Sequence, residues 1–390
     1  MKKFLALILA LVMSLSLVAC GGTKEESKPA EPEKPAETEQ PAEEAGADFS
    51  VAMITDYGDI TDQSFNQTTY EACKAYCEAN GVEFNYYKPA GDSTAERVAM
   101  VEAAVDDGFT VIVMPGYAFG ETITQVADEY SDITFIALDV GEGDLGGYTL
   151  PGNVYCAVYQ EELCGYMAGY AAVKLGYTHL GFLGGMAVPA VVRYGYGFVQ
   201  GADAAATETG ADVTMEYVYG NQFWGDADIT AYMDNWYQTL GVEVVFACGG
   251  GIYASAAEAA AKVDGKVIGV DVDQAAIIDG GYGDGMTVTS AMKGLAPTVE
   301  HMLTEVAAGN FANYGGKIET LGLVSGSDPE ANYVQIPMGS TQWSDSFSQD
   351  DYKTLVKDMF DGKITVSNDI TVEPASLAST AKVNSYGNIK

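Results

Sequence analysis

GFTVIVMPGYAFGETITQVADEYSDITFIALD, residues 108–139, decides how this chain folds. It begins at a glycine, runs through a β-branched strand to Gly116, continues as a helix and closes on a second strand ending at Asp139. Residues 241–271, GVEVVFACGGGIYASAAEAAAKVDGKVIGVD, repeat that order from Gly241 through Gly249 to Asp271. First glycine and final aspartate are 31 residues apart in one copy and 30 in the other. The upstream segments correspond as well. A strand at 49–55, a helix at 64–80 stopped by Gly81 and a strand at 82–87 are echoed by a strand at 179–185, a helix at 191–210 and a strand at 212–219. Ser93 and Glu96 supply a capping box for the helix that follows the first set. Strands alternating with helices predict parallel sheets covered by helices. Two such halves predict an α/β protein of two lobes, with a cleft between them at the carboxyl ends of the strands, where open sheets bind ligands.

The chain begins with Lys2 and Lys3, an apolar run over 4–17 and the sequence Leu17-Val18-Ala19-Cys20. A basic start, an apolar stretch and small residues before a cut describe a secretory signal. The last four residues resemble a bacterial lipobox, which predicts that Cys20 is acylated and becomes the mature N-terminus. Two or more acyl chains hold stably at a bilayer, so the expectation is a tethered, non-spanning protein on the extracytoplasmic face of a bacterial membrane. Residues 21–47 hold eight Glu, three Lys and repeated Pro, with no large apolar residue. Such a stretch predicts a disordered, extended linker. In the body, residues 48–151 with about 289–323 are expected to form the N-terminal lobe. Residues 152–288 with about 324–390 form the C-terminal one, the chain crossing near 151, 288 and the low 320s.

Net charge is −36; the signal region contributes +2 and the linker −5, so −33 falls on the body. Arg97 and Arg193 are its only arginines. So acidic a surface excludes nucleic acid, which needs basic patches. No apolar run in the body is long enough to cross a bilayer, which excludes a permease. The five body cysteines, 73, 77, 156, 164 and 248, match no disulfide framework or zinc site. They read as free core thiols.

Residues 54–67, ITDYGDITDQSFNQ, crowd Asp56, Asp59 and Asp62 ahead of Phe65 and Asn66 at the end of a strand. Asp56, Phe65 and Asn66 are the expected ligand contacts, whereas Asp59, Asp62 and Ser64 shape the loop and cap the helix. Asp139 and Asp271, as a matched pair at strand ends, face the same cleft. Catalysis finds no support: His179 and His301 lack partner motifs, and no nucleophile elbow, zinc or phosphate-loop sequence occurs. Gly249-Gly250-Gly251 has no following lysine, so it reads as a backbone turn near an uncharged ligand. Gly195, Gly197 and Gly201 read as close helix packing. The three early aspartates lack the order of a calcium loop, and neither metal nor cofactor is expected.

ITDYGDITDQSFNQ, VIGVDVDQ (267–274) and VTSAMK (288–293), with GFLGGMAVPAVVRYGYGFVQGA (181–202) and FDGKITV (360–366), resemble the basic membrane protein family. These are PnrA-like substrate-binding lipoproteins of ABC transporters. The resemblance implies a type I periplasmic-binding-protein fold of two Rossmann-like lobes and a purine nucleoside held between two aromatics. Partners would be an ABC permease and, through it, a cytoplasmic ATPase. Carried over by motif, Phe65 is one stacking face and Phe223 or Trp224 the other. Asp139 would hold the base, Asp271 the ribose and Lys293 the sugar, with Gly116 and Tyr117 on the neighbouring turn. Carboxylates suit ribose hydroxyls and purine N–H groups, and three of them around one site repel phosphate. The alternatives are a receptor for a sugar or other small polar solute in the same fold, and a non-transport sensing lipoprotein. An enzyme ranks last.

Overall fold

A computed structural model describes residues 49–389; the expected signal segment, Cys20 and the linker lie outside the described residues. The first half comprises β1 (Val51–Ile54), α1 (Phe65–Asn80), β2 (Phe84–Tyr87), α2 (Thr94–Asp106), β3 (Val111–Pro115), α3 (Phe119–Val126), β4 (Thr134–Leu138) and β5 (Val154–Tyr159). The second comprises α4 (Glu161–Lys174), β6 (His179–Gly184), α5 (Pro189–Thr209), β7 (Thr214–Tyr219) and α6 (Ala227–Asn235). It continues through β8 (Val244–Cys248), α7 (Tyr253–Ala260), β9 (Lys266–Asp271), α8 (Ala275–Tyr282) and β10 (Thr287–Lys293). The chain closes with α9 (Leu295–Ala307), β11 (Lys317–Leu321), β12 (Val334–Gln335), α10 (Gln349–Phe360) and β13 (Lys382–Asn388).

The strands form two sheets, ordered β11-β5-β4-β3-β1-β2 and β12-β10-β9-β8-β6-β7-β13. Strand for strand the two orders match, with β13 added beyond β7. Every pair is parallel except β10 with β12. In each sheet the order reverses at the first strand, β1 or β6, and that reversal opens a crevice at the carboxyl ends. The central strands β1, β3 and β8 are buried along their whole length, as near-continuous apolar runs covered on both faces must be.

Two of the three crossings fall later than expected, and the third lies in the low 320s. β5 pairs with β4 in the first sheet, so the chain leaves that lobe after Tyr159, not near 151. β10 pairs with β9 in the second, so the return comes after Lys293, not at 288. The third crossing follows Leu321, at the end of β11. Pro151-Gly152 ends a segment, but a turn does not say which sheet the next strand joins. At the crossings the segments bind one another: Gln160 donates its backbone N–H to Leu321 O at 2.9 Å, and Gly294 its own to Tyr333 O at 2.7 Å.

Helix ends follow local chemistry. Gly81 ends α1 in the left-handed conformation at φ 66°, its N–H donating to Cys77 O. Ser93 Oγ accepts from the Glu96 N–H at 3.2 Å, and its hydroxyl in turn meets the Glu96 carboxylate at 2.9 Å. Ser64, expected as a side-chain cap of α1, makes no such bond. Asp62 does that work instead, its carboxylate accepting from the N–H groups of Ser64, Asn66 and Gln67 at 2.9, 2.9 and 3.1 Å.

α4 and α5 meet backbone to backbone. A Cβ on Gly165 or Gly169 would lie 2.2 Å from the carbonyl oxygens of Tyr194 and Phe198. One on Gly197 or Gly201 would lie 2.0 Å from those of Glu162 and Tyr166. Of the three glycines read as packing residues, Gly197 and Gly201 are thus half of a reciprocal contact, whereas Gly195 makes room for the side chains of Tyr217 and Phe182. The five body cysteines are buried and unbonded. Among the described residues, no helix is long and apolar enough to cross a membrane.

Candidate functional site

A cavity of about 410 Å³ lies between the carboxyl edges of the two sheets, and all ten cleft residues expected from the sequence line it. Asp139 directly follows β4 and Asp271 closes β9. Both sit in the left-handed region, at φ 61° and 64°. That conformation is open chiefly to Gly, Asn and Asp, and in both halves it turns a carboxylate off the strand end toward the cleft. Gly116, after β3, holds φ 129°, and a Cβ there would stand 2.9 Å from Asp56 Oδ2. The glycine therefore makes room for Asp56, whose Oδ1 accepts from the N–H groups of Tyr57 and Gly58 at 2.6 and 2.8 Å.

Lys293, the last residue of β10, joins the two halves. Its ammonium lies 2.5 Å from Asp139 Oδ2, 3.4 Å from Glu161 Oε1 and 3.7 Å from Asp271 Oδ1. It also stands over the rings of Phe65, Tyr159 and Tyr194, at 4.7, 5.5 and 5.6 Å from their centroids. Burial works to lower its pKa, but Asp139, Asp271 and Glu161 outweigh that and hold it above the usual lysine range. Burial pushes the Asp139 carboxyl up, to about 6, against the pull of Lys293. Asp56 and Asp62 are also raised by burial, in part offset by the backbone N–H groups they accept from.

Within the cavity lining, two buried acceptors have no hydrogen-bond donor among the described residues: Asp139 Oδ1 and Asn66 Oδ1. The Asn66 amide nitrogen is tied to Asp62 Oδ2 at 3.2 Å, which leaves its oxygen as the free group. A buried acceptor without a donor costs about 1–3 kcal/mol, so both positions favour a ligand that brings N–H or O–H groups. Asp271, in contrast, is engaged from both lobes. Ser64 Oγ donates to its Oδ2 at 2.7 Å across the cleft, and the Tyr194 hydroxyl to its Oδ1 at 3.2 Å. Gln274 adds a second bond between lobes, its Nε2 donating to Gln63 O at 3.0 Å.

Phe65 comes from the first lobe and Phe223 from the second. Phe223 packs over the glycine turn after β8: a Cβ on Gly249 would meet its ring at 3.0 Å, and Gly251 N–H donates to Phe223 O at 2.9 Å. The triple glycine thus anchors the 221–226 loop, as a close-packed backbone turn. Phe223 also faces Tyr57, ring centroids 6.4 Å apart. Trp224 lines the same cavity but is 56 % exposed, at the rim. The rim holds the second cation of the lining, Lys88, paired with Asp59 at 2.7 Å.

Three contributors were not read from the sequence. Tyr194 and Ser64 reach Asp271, and Glu161 reaches Lys293 and Arg193. Glu161 had a signal of a kind: two arginines and one cleft lysine in a chain this acidic need buried counter-charges, but nothing singled out which carboxylate. His179 pairs with Glu216 at 3.0 Å and His301 contacts Tyr314 at 3.1 Å, both away from the cavity lining. No group of side chains among the described residues could hold a metal ion.

A family model described as ABC transporter substrate-binding protein PnrA-like matches residues 49–356. A CD4+ T-cell-stimulating antigen of Listeria innocua is 28 % identical, over 90 % of this chain and 93 % of its own. The ABC transporter nucleoside-binding protein BmpA of Lactococcus lactis is 25 % identical, over 82 % and 89 %. Among solved structures, an ABC transporter solute-binding protein from Conexibacter woesei shares the fold. It has a TM-score of 0.63 at 22 % identity, covering 82 % of this chain and 99 % of that one. The matched span takes in the first lobe, most of the second and every cleft residue described above, and the chain belongs to the PnrA-like family of ABC transporter substrate-binding proteins, which bind solutes and are not enzymes.

Proposed function

We propose that this chain is a lipid-anchored receptor that closes its lobes on a nucleoside, a purine one, and delivers it to an ABC permease driven by a cytoplasmic ATPase. The observation that carries the reading is Lys293 bridging Asp139 and Asp271, one carboxylate from each lobe, beneath aromatic walls from both lobes. Carboxylates that share one ammonium face the same part of a ligand. That supports giving both to the ribose hydroxyls, rather than Asp139 to the base. The free Asn66 oxygen, with Asp56 beside it, is then the acceptor for base N–H groups. Phe65 and Phe223 stack on the ring, each worth about 1–3 kcal/mol, and Trp224 shields the mouth. Five carboxylates against two lysines in the lining disfavour a phosphate, so the free nucleoside is the ligand.

Calorimetric titration with inosine, guanosine, adenosine, their monophosphates, ribose and galactose tests this. Nucleosides bind, monophosphates bind more weakly, and free sugars do not compete. Tighter binding of a monophosphate, or binding of a sugar alone, overturns it. Asp271→Asn keeps the backbone turn and removes the charge, and weakens nucleoside binding by about 1.5–3 kcal/mol.

A further inference from the structure

Glu161 touches the site only through other residues. It is wholly buried, starts α4 just after the first crossing, and does not line the cavity. Oε2 accepts from Arg193 Nε at 2.6 Å, and Oε1 stands 3.4 Å from Lys293 Nζ. Lysine is a point charge on a flexible stem. Its three N–H groups here face three carboxylates: Asp139 of the first lobe, Asp271 at the end of β9, and Glu161 on the hinge side.

We propose that Glu161, backed by Arg193, is a positioning residue that holds the Lys293 ammonium between Asp139 and Asp271 and so leaves both carboxylates accessible to the ligand. The inference rests on the reading of this cleft as a nucleoside site. Without the third partner, the ammonium settles onto the two cleft carboxylates, and the ligand hydroxyls must displace it. Glu161 also acts as the lobes part. Asp139 leaves with the first sheet, whereas Glu161 on α4 and Asp271 on β9 stay with Lys293, so the ammonium waits in place. A fully buried carboxylate persists only with its charge compensated. The Arg193 guanidinium supplies that compensation, and the positive end of α4 adds to it.

Several ionisable groups face this cluster. Asp139 senses Lys293, Glu161 and Asp271. Arg193 senses Glu161, Asp139 and Glu162, and burial raises the Glu162 carboxyl to about 7. Tyr159, Tyr194 and Cys164 adjoin as neutral groups whose pKa values burial holds high. Removing the negative charge of Glu161 therefore eases ionisation of Asp139, an effect that loosened packing alone does not produce.

The test is inosine binding by calorimetry from pH 5 to 8, with wild type, Glu161→Gln and Glu161→Asp, each first checked for folding by circular dichroism. Glu161→Gln is expected to bind roughly tenfold more weakly at pH 7.5, with the midpoint of its acid loss moved down by about half a pH unit. Glu161→Asp, one methylene short but still charged, binds more weakly with the wild-type midpoint. Wild-type affinity in either variant, or a Glu161→Gln midpoint that does not move, overturns the proposal. If Glu161→Gln does not fold, Glu161→Asp decides by its affinity alone. A wild type that binds no nucleoside at any pH defeats the underlying reading of the cleft instead.

Discussion

At the scale of single residues, Asp139 is the group whose ionisation ligand binding should report. Burial raises its carboxyl to about 6, from an ordinary value of 3.8. The sign follows from linkage. A raised acid favours the folded state fully below its unfolded pKa, and that contribution is lost as pH rises from about 4 through about 6. A ligand hydroxyl is best accepted by the ionised form, so binding takes up the opposite dependence: weak below pH 6, strong above. We expect inosine affinity to fall by up to about tenfold per pH unit below 6. Asp139→Asn should flatten that limb while binding more weakly at pH 7.5. Titrations at pH 5, 6, 7 and 8 check both, and an unchanged limb in the variant would assign the proton to another group.

At the scale of elements, the reciprocal glycines of α4 and α5 make a second expectation. A methyl on Gly197 is driven to 2.0 Å from the Glu162 carbonyl oxygen, a backbone atom that no rotamer change can move. Gly197→Ala should destabilise the protein by about 1–3 kcal/mol. It should also weaken ligand binding, because the start of α4 carries Glu161. Urea unfolding and titration of the same sample separate the two effects. What the sequence disclosed was also decided at this scale. The paired runs 108–139 and 241–271 were legible because strand, turn, helix and strand follow one another in each, and an aspartate closes both. Sheet membership of β5 and β10 was not, since apolar strands fit either sheet and only tertiary pairing chooses. Asp139, Asp271 and Lys293 were each legible as cleft residues because motifs held them, but their pairing through the ammonium was not. Glu161 was not, because a glutamate at a helix start ordinarily faces water. Ser64 misled for a similar reason: serine before a helix is ordinarily its cap, but here Asp62 reaches those N–H groups and Ser64 turns to the other lobe.

The whole molecule is two α/β lobes of one topology, linked by three crossings and in direct contact across the cleft through Ser64 with Asp271 and Gln274 with Gln63. On the proposed closure of the lobes around a ligand, affinity depends on how much of the population is closed. Gln274→Glu keeps the Oε1 that accepts from the Val270 N–H at 2.9 Å but sets a carboxylate oxygen against the Gln63 carbonyl. The closed form should lose about 1–3 kcal/mol, with apparent affinity down by roughly 5- to 150-fold. Small-angle scattering should show a larger radius of gyration for the variant at the same ligand concentration. Equal radii with weakened binding would place Gln274 in ligand contact rather than in closure.

The left-handed turns at Asp139 and Asp271 bear on how such a receptor could change its cargo over generations. At φ near 60° most side chains incur strain, so drift at these two sites is confined largely to Asp, Asn and Gly. Each of those keeps the turn, yet each presents the cleft with a different group: a charge, a neutral amide, or nothing. A single step there can alter what is carried with little disturbance to the scaffold, and the two halves can take that step independently.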